Sequence, residues 1–170
     1  MRFVREATVD DAEDIGTIQV AGWQKAYDGL LPAEVLRGMD IQTRAVRWRA
    51  TIVDGHPHVL ICGEGARVTG FCSWGRSRDE EADDAVAEVW AIYVEPLAWR
   101  RGFGRALMER ATADAVAAGF TELRLWVLRG NDPAIAFYQS LGFALDGGAK
   151  RAPGPGGCTL DELRLARALG

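Results

Sequence analysis

Between Trp99 and Arg105 the chain reads Trp99-Arg100-Arg101-Gly102-Phe103-Gly104-Arg105, a basic, glycine-bearing stretch with the composition of an anion site. Ahead of it, Ala87 to Val94 is rich in Val, Ile, Trp and Tyr and predicts a buried strand. Behind it, Phe103, Leu107, Ala111 and Ala115 recur at helical spacing. A tight turn from strand into helix leaves backbone N–H groups unpaired at the positive end of a helix dipole. A phosphate or pyrophosphate is the natural guest of such a turn. The competing reading is a plain turn with a solvated basic face. No Gly-Lys-Ser/Thr follows, and Leu107 stands where a dinucleotide fingerprint carries its third glycine. The stretch therefore points away from both nucleoside triphosphates and nicotinamide dinucleotides.

The block V-x-P-x-x-W-R-R-G-F-G-R-A-L, Val94 to Leu107, resembles the acyl-CoA-binding motif of the GNAT N-acetyltransferase superfamily. In that family an R/Q-x-x-G-x-G/A segment cradles the pyrophosphate of coenzyme A in its backbone amides. Trp99 replaces the usual Gln or Arg, and Arg100 a usual Gly, which leaves the backbone role intact and removes the side-chain contact of the first position. A second block, Asn131 to Phe143, resembles the family's N-x-x-A-x-x-F-Y-x-x-x-G-F pattern at every named position. Two motifs in order are far more specific than either alone. The R-x-A-x-x-D-A near the N-terminus and the W-x-x-x-Y of Trp23 and Tyr27 also resemble bacterial members.

The resemblance implies acetyl-CoA as co-substrate, without a metal, held at Arg100, Arg101, Gly102, Phe103, Gly104 and Arg105. The pantetheine arm would lie along backbone groups of Ile92, Tyr93 and Val94, freed where a β-bulge splays the strand from its parallel neighbour. Asn131 would bind the same arm or cap its helix. Glu88 falls where many family members place a general base, and an ammonium acceptor must lose a proton before its nitrogen can attack a thioester. Its structural alternative is a carboxylate at a strand edge facing solvent. Tyr138 takes the place of the family's general acid, which protonates the departing thiolate; its alternative is packing of helix on sheet. Trp23 and Tyr27 read equally as core aromatics or as walls of the acceptor cleft. The implied reaction is direct acetyl transfer to a primary amine of a small molecule or peptide. A non-catalytic acyl-CoA-binding sensor is the alternative, and it could dispense with Glu88 and Tyr138.

These groups need elements to hold them. Phe3 to Ala7 predicts an opening strand, and Thr8 caps a helix whose first turns carry Asp10, Asp11, Glu13 and Asp14. Pro32 opens a second helical region running through Val35, Leu36 and Met39 and on across Val46, Trp48 and Ile52. Val59 to Cys62 and Val68 to Trp74 predict a hairpin. Arg76 to Ala85 is an acidic loop, either a solvated turn or a rim attracting a cationic amine. The strand Leu123 to Leu128 follows the helix that begins at Phe103, implying a parallel pair with a right-handed crossover. Asp146 to Gly157, rich in Gly and Pro, predicts a flexible loop, and Leu160 to Leu169 a last strand or a short helix. The family's fold is an α/β mixed sheet of about six to seven strands, splayed at the centre and flanked by helices, here one domain over 1–170.

The chain's 170 residues suffice for one core, and its net charge of −4 argues against nucleic acid or an anionic membrane as partner. No apolar run reaches membrane-span length, and the first residues lack a signal-peptide core. Cys62, Cys72 and Cys158 have no CxxC spacing and no paired His, so neither zinc nor an acyl-enzyme nucleophile is expected. Unpaired cysteines suit a cytoplasmic location. The tryptophan content would supply an apolar interface for a homodimer.

Overall fold

Seven strands form one sheet in the order β1-β2-β3-β4-β5-β7-β6, and every neighbouring pair is antiparallel except β4 with β5. The computed structural model describes residues 1–170. In chain order the elements are β1 (Arg2–Glu6), α1 (Ala12–Ala26), α2 (Ala33–Arg37), α3 (Ile41–Asp54), β2 (His58–Glu64), β3 (Arg67–Arg76) and β4 (Val86–Val94). Then follow α4 (Phe103–Ala117), β5 (Glu122–Leu128), α5 (Asp132–Gln139), β6 (Ala144–Pro153) and β7 (Thr159–Ala168). No helix is long and apolar enough to cross a membrane.

The apolar spacing of each element decides which face it covers. Leu107, Met108, Ala111 and Ala115 of α4 bury against Ala87 and Val89 of β4 and Leu123 and Leu125 of β5. On the opposite face Ile15 and Ile18 of α1 pack on Val59, Ile61 and Phe71. Gly16 lets α1 and α3 approach closely, since a Cβ there would lie 2.9 Å from the Ala45 nitrogen. The far end of α1 carries Trp23 into a small cluster with Leu31, Leu36 and Leu128.

β4 carries the feature that shapes the site. Its register against β3 passes from Trp74↔Val89 to Ser73↔Ala91, so Trp90 is an extra, bulged residue. Bulges bend a strand and end its pairing. Accordingly only Val86–Val89 pair with Glu122–Leu125, and beyond them β4 and β5 diverge into an open gap.

Three expectations are corrected. The second helical region is two helices, because Gly38 ends the first and Asp40 caps the next: the Asp40 carboxylate accepts from the Thr43 amide at 2.7 Å. The Gly/Pro-rich tail is mostly strand. β6 runs to Pro153 on β7, and its register shift between Leu145 and Ala149 absorbs Gly147 and Gly148. β7 itself is a strand throughout. The acidic loop is corrected only in part: Glu80, Glu81, Asp83 and Asp84 are exposed, as a surface turn predicts, but the loop is tied down. The Asp79 side chain is buried and binds Trp126 Nε1 (2.9 Å) and Arg164 (3.0 Å), while Glu81 pairs with Arg164 and Asp84 with Arg76.

Candidate active site

The turn into α4 has the shape of an anion cradle. Arg100 (φ 61°) and Gly102 (φ 88°) are both left-handed, which turns successive amides to one side. No acceptor in the protein takes the N–H groups of Arg100 through Arg105; the first bond back to the cap runs from the Ala106 amide to the Gly102 carbonyl, 3.1 Å. Arg2 Nη1 steadies the turn by donating to the Arg101 carbonyl at 2.8 Å. The arginine side chains are not equivalent. Arg101 is paired with Glu64 and Arg105 lies near Glu109, whereas Arg100 meets no carboxylate within ion-pair distance. Gly104 leaves room for Phe137, whose Cζ would stand 3.2 Å from a Cβ there.

The gap opens beside this turn. Glu95 donates its amide to the Thr69 carbonyl (2.8 Å), which fixes the alternation along β4. Tyr93 therefore turns its backbone to Phe71, and the groups facing the gap belong to Ile92 and Val94. This revises the expectation for Tyr93, which offers a side chain rather than backbone groups. Trp99 also has a definite place: its indole donates to the Val94 carbonyl at 2.7 Å, so Val94 keeps only its N–H free.

On the α1 side of the sheet lies a polar and aromatic wall. The Tyr93 and Tyr27 hydroxyls are 3.0 Å apart, and Trp23 packs edge-on to Tyr27 with centroids 4.9 Å apart. Burial raises both phenols above their ordinary range, Tyr93 strongly. Glu88 is 1% exposed, which rules out the solvent-facing strand-edge alternative. Its two oxygens are met by Arg78, Oε2 accepting from the backbone amide (2.9 Å) and Oε1 from Nη2 (2.5 Å). The Arg78 guanidinium lies over Trp90, 4.3 Å from the ring centre. Glu162 on β7 completes this wall. Burial and the nearby Glu88 charge raise its pKa, while Lys150 and Arg78 oppose them.

Tyr138 is buried from the other face, with its ring between Phe137 and Phe143. Burial pushes its pKa far above an ordinary phenol, so it is protonated at neutral pH. Its hydroxyl has no partner, yet it is not among the sealed unpaired polar atoms, so it still reaches solvent. Asn131 precedes α5 without using its side chain as a cap, which leaves that amide free. Burial raises the Cys62 thiol to about 11 and Cys72 higher still, so neither is a ready thiolate. No group of three or more His, Cys, Asp or Glu residues lies together as a metal site would need.

Residue spacing could not reveal Arg78 and Glu162. Each reaches Glu88 through folding, one by the return of the β3–β4 loop and the other by the register of β7 on β5. Charge at Arg78 was visible; its partner was not.

Comparison with known proteins agrees with this architecture. Residues 23–143 match the Acetyltransferase (GNAT) family. The chain is 31% identical over 141 residues to the N-acetyltransferase YuaI of Bacillus subtilis strain 168, covering 82% of this chain and 79% of that one. Its fold superposes on the PaiA N-acetyltransferase of Thermoplasma acidophilum, solved with coenzyme A, at a TM-score of 0.79 and 18% identity, covering 99% of both chains. It also superposes on YncA of Salmonella typhimurium, a structure with acetyl-CoA, at 0.70 and 24% identity, covering 99% of this chain and 94% of that one. With a splayed β4–β5 pair, an amide-lined turn at its mouth and a family match over most of its length, the chain belongs to the GNAT acetyltransferase family.

Proposed function

We propose that this acetyltransferase moves an acetyl group from acetyl-CoA to a primary amine of a small molecule or peptide by direct attack. The observation that carries this reading is the open gap between β4 and β5, with the unpaired amides of Arg100 to Arg105 at its mouth. Those amides suit a pyrophosphate, and the Ile92 and Val94 groups with the Asn131 side chain suit an amide-bearing pantetheine arm. The coenzyme A and acetyl-CoA held by the Thermoplasma and Salmonella proteins support the same donor.

Acetyl-CoA supplies the activated carbonyl; the chain's part is to hold it and move two protons. Glu88 takes a proton from the acceptor ammonium, directly or through water, as Arg78 gives way. The amine nitrogen then bonds to the acetyl carbon, the carbon–sulfur bond breaks, Tyr138 protonates the departing sulfur, and the second proton leaving the nitrogen restores the Tyr138 hydroxyl through water. No cysteine intervenes, in keeping with the raised thiols of Cys62 and Cys72. Tyr27, Tyr93 and Trp23 line the approach of the amine. The buried free thiols suit a reducing cytoplasm.

Calorimetric titration of acetyl-CoA, followed by thiol release against a panel of amines, tests the reading. Tyr138→Phe is expected to bind acetyl-CoA as the parent does and to lose about 10²-fold in kcat. Binding without turnover of any amine would replace this reading with a cofactor sensor, and absence of binding would reduce the Gly102–Gly104 turn to a structural one.

A further inference from the structure

A cleft of about 750 Å³ opens between the loop joining α2 to α3 and the turn joining β6 to β7. Trp23, Met39, Arg44, Arg47 and Leu160 line it. Trp23 is shared with the catalytic side: it forms one wall of the cleft, and it packs on Tyr27 and, 6.4 Å away, on Tyr93. Leu160 and Glu162 alternate on β7 and face the same way, so the strand that borders the cleft at Leu160 carries Glu162 toward Glu88. The cleft thus shares the Trp23 wall with the place where the amine must react.

Its charges are arranged by position. Past Trp23 and Leu160, outside the cleft's own lining, stand two carboxylates, Glu88 and Glu162. At the outer end stand Arg44 and Arg47, one helical turn apart on α3. No carboxylate lies within ion-pair distance of either arginine, although Arg44 is half-buried and its guanidinium sits 5.9 Å from the centre of the Trp23 ring. Burial and the neighbouring Arg47 charge hold the Arg44 pKa below the usual guanidinium range, as two cations without a counter-ion would. The cleft's acids do not answer them: Asp40 is spent capping α3 through the Thr43 amide and hydroxyl, both at 2.7 Å, and Glu34 sits exposed on the rim. A partly buried, unpaired guanidinium beside an aromatic ring, with a second, exposed one a helical turn away, is a recognition element for planar or tetrahedral oxyanions.

From this polarity we infer that the cleft is the outer subsite of the acceptor, and that the acceptor is an amine bearing an anionic group, carboxylate or phosphate, which Arg44 and Arg47 hold. The inference rests on the amine-acetylation reading and narrows its substrate. The reacting ammonium enters first, toward Glu162 and Glu88. The body of the acceptor lies along Trp23 and Leu160, and the anion stays at the arginines.

The test uses matched acceptors differing only in the anion: amino acids and dipeptides beside their C-terminal amides, and phosphoethanolamine beside ethanolamine. Each is measured by thiol release and, independently of turnover, by calorimetric binding to the coenzyme A-saturated protein. The anionic member of at least one pair should be favoured about tenfold or more, the worth of a charge-assisted contact. The arm that shows it separates carboxylate from phosphate. The R44Q/R47Q variant should erase that preference by raising KM, with kcat and acetyl-CoA affinity nearly unchanged. R49Q, on the same helix but outside the cleft, should behave as the parent. Equal use of the neutral twins, a preference that survives R44Q/R47Q, or no binding of any acceptor by a protein that still binds acetyl-CoA would each overturn the inference. Loss of acetyl-CoA binding in the parent protein would instead remove the acetyl-transfer reading beneath it.

Discussion

A carboxylate buried as deeply as Glu88 carries a desolvation cost of several kcal/mol unless charge and hydrogen bonds offset it, and Arg78 supplies both. The same pairing occupies both Glu88 oxygens, so the pair must open before Glu88 can accept a proton. Arg78 is the partner able to move, its side chain half exposed over Trp90 while Glu88 is sealed. Glu162 is the nearby alternative, with a carboxyl raised by burial and by Glu88. The two are separable by substitution. Glu88→Gln is expected to lower kcat about 10²-fold. Glu162→Gln should chiefly raise KM for the amine. Because the Glu162 pKa is raised, its charge is present above that pKa and lost as pH falls through it. The parent KM should therefore climb at a pH above that of an ordinary glutamate, and the climb should vanish in Glu162→Gln. If Glu162→Gln instead lowers kcat about 10²-fold and Glu88→Gln does not, the base is Glu162. Tyr138 stands inside a contiguous motif and Glu88 at a fixed count before one, so both were legible as candidates in the sequence. Arg78, Glu162 and the cleft arginines were not, since their meaning lies in partners brought from distant segments.

Among the elements, the turn into α4 was read correctly as a unit because its information is contiguous: strand, glycines, helix. The same local reasoning failed where pairing overrode composition. Gly147 and Gly148 look like a loop, yet the β7 edge gives β6 hydrogen-bond partners, and Asp146 secures the bend by accepting from the Gly148 amide at 2.8 Å. The turn into α4 yields a prediction that separates strain from binding. Gly102→Ala places a Cβ at φ 88° with its nearest neighbour 3.7 Å away, so the cost is conformational, about 1 kcal/mol. Gly119→Ala imposes similar strain at φ 92° beyond the other end of α4. Both should lower stability, but only Gly102→Ala should weaken acetyl-CoA, by about tenfold if re-aiming one amide loses one charge-assisted bond. Equal acetyl-CoA affinities would mean the turn tolerates re-aiming. The entry to α1 titrates. Burial tends to raise the Asp11 pKa, but Arg5 (2.8 Å) and the Thr8 amide (2.7 Å) prevail and hold it below the usual carboxylate range. A lowered carboxyl stabilises the fold above its unfolded pKa and loses that contribution as pH falls through the folded one. Asp11→Asn should therefore cost about 1–2 kcal/mol at neutral pH and almost nothing near pH 2, as read by urea melts.

Across the whole molecule, the sheet is two antiparallel halves, β1 to β4 and β5-β7-β6, joined only where Val86–Val89 meet Glu122–Leu125. The gap that admits substrate is also the weakest seam in the hydrogen-bonded ladder. On one face a single apolar cluster crosses the seam, joining α4 and β4 to Leu123, Leu125 and Val127 of β5. On the other, the acidic loop between β3 and β4 does so. It reaches past the seam, and Asp79, its side chain 6% exposed, engages Trp126 of β5 and Arg164 of β7, with Arg124 at 3.5 Å. Arg164 in turn holds Asp146 of β6 at 2.8 Å, so the clamp spans every strand of the second half. Buried ion pairs are often no better than apolar packing, but breaking one leaves an uncompensated charge. Here Asp79→Asn would remove the most buried carboxylate of the network, leaving Arg164 with Glu81 and Asp146 and Arg124 with Glu122. The expected loss is about 2 kcal/mol in denaturant unfolding. The acetyl-CoA affinity of the folded protein should change little, because the Arg100–Arg105 cradle lies at the far end of β4 from this loop. Amine turnover should fall more than donor binding, since Arg78 and Glu88 hang from the same loop. A stability loss below about 1 kcal/mol, the range of a surface pair, would show that the loop merely lies against the sheet and that the apolar cluster alone holds the halves together.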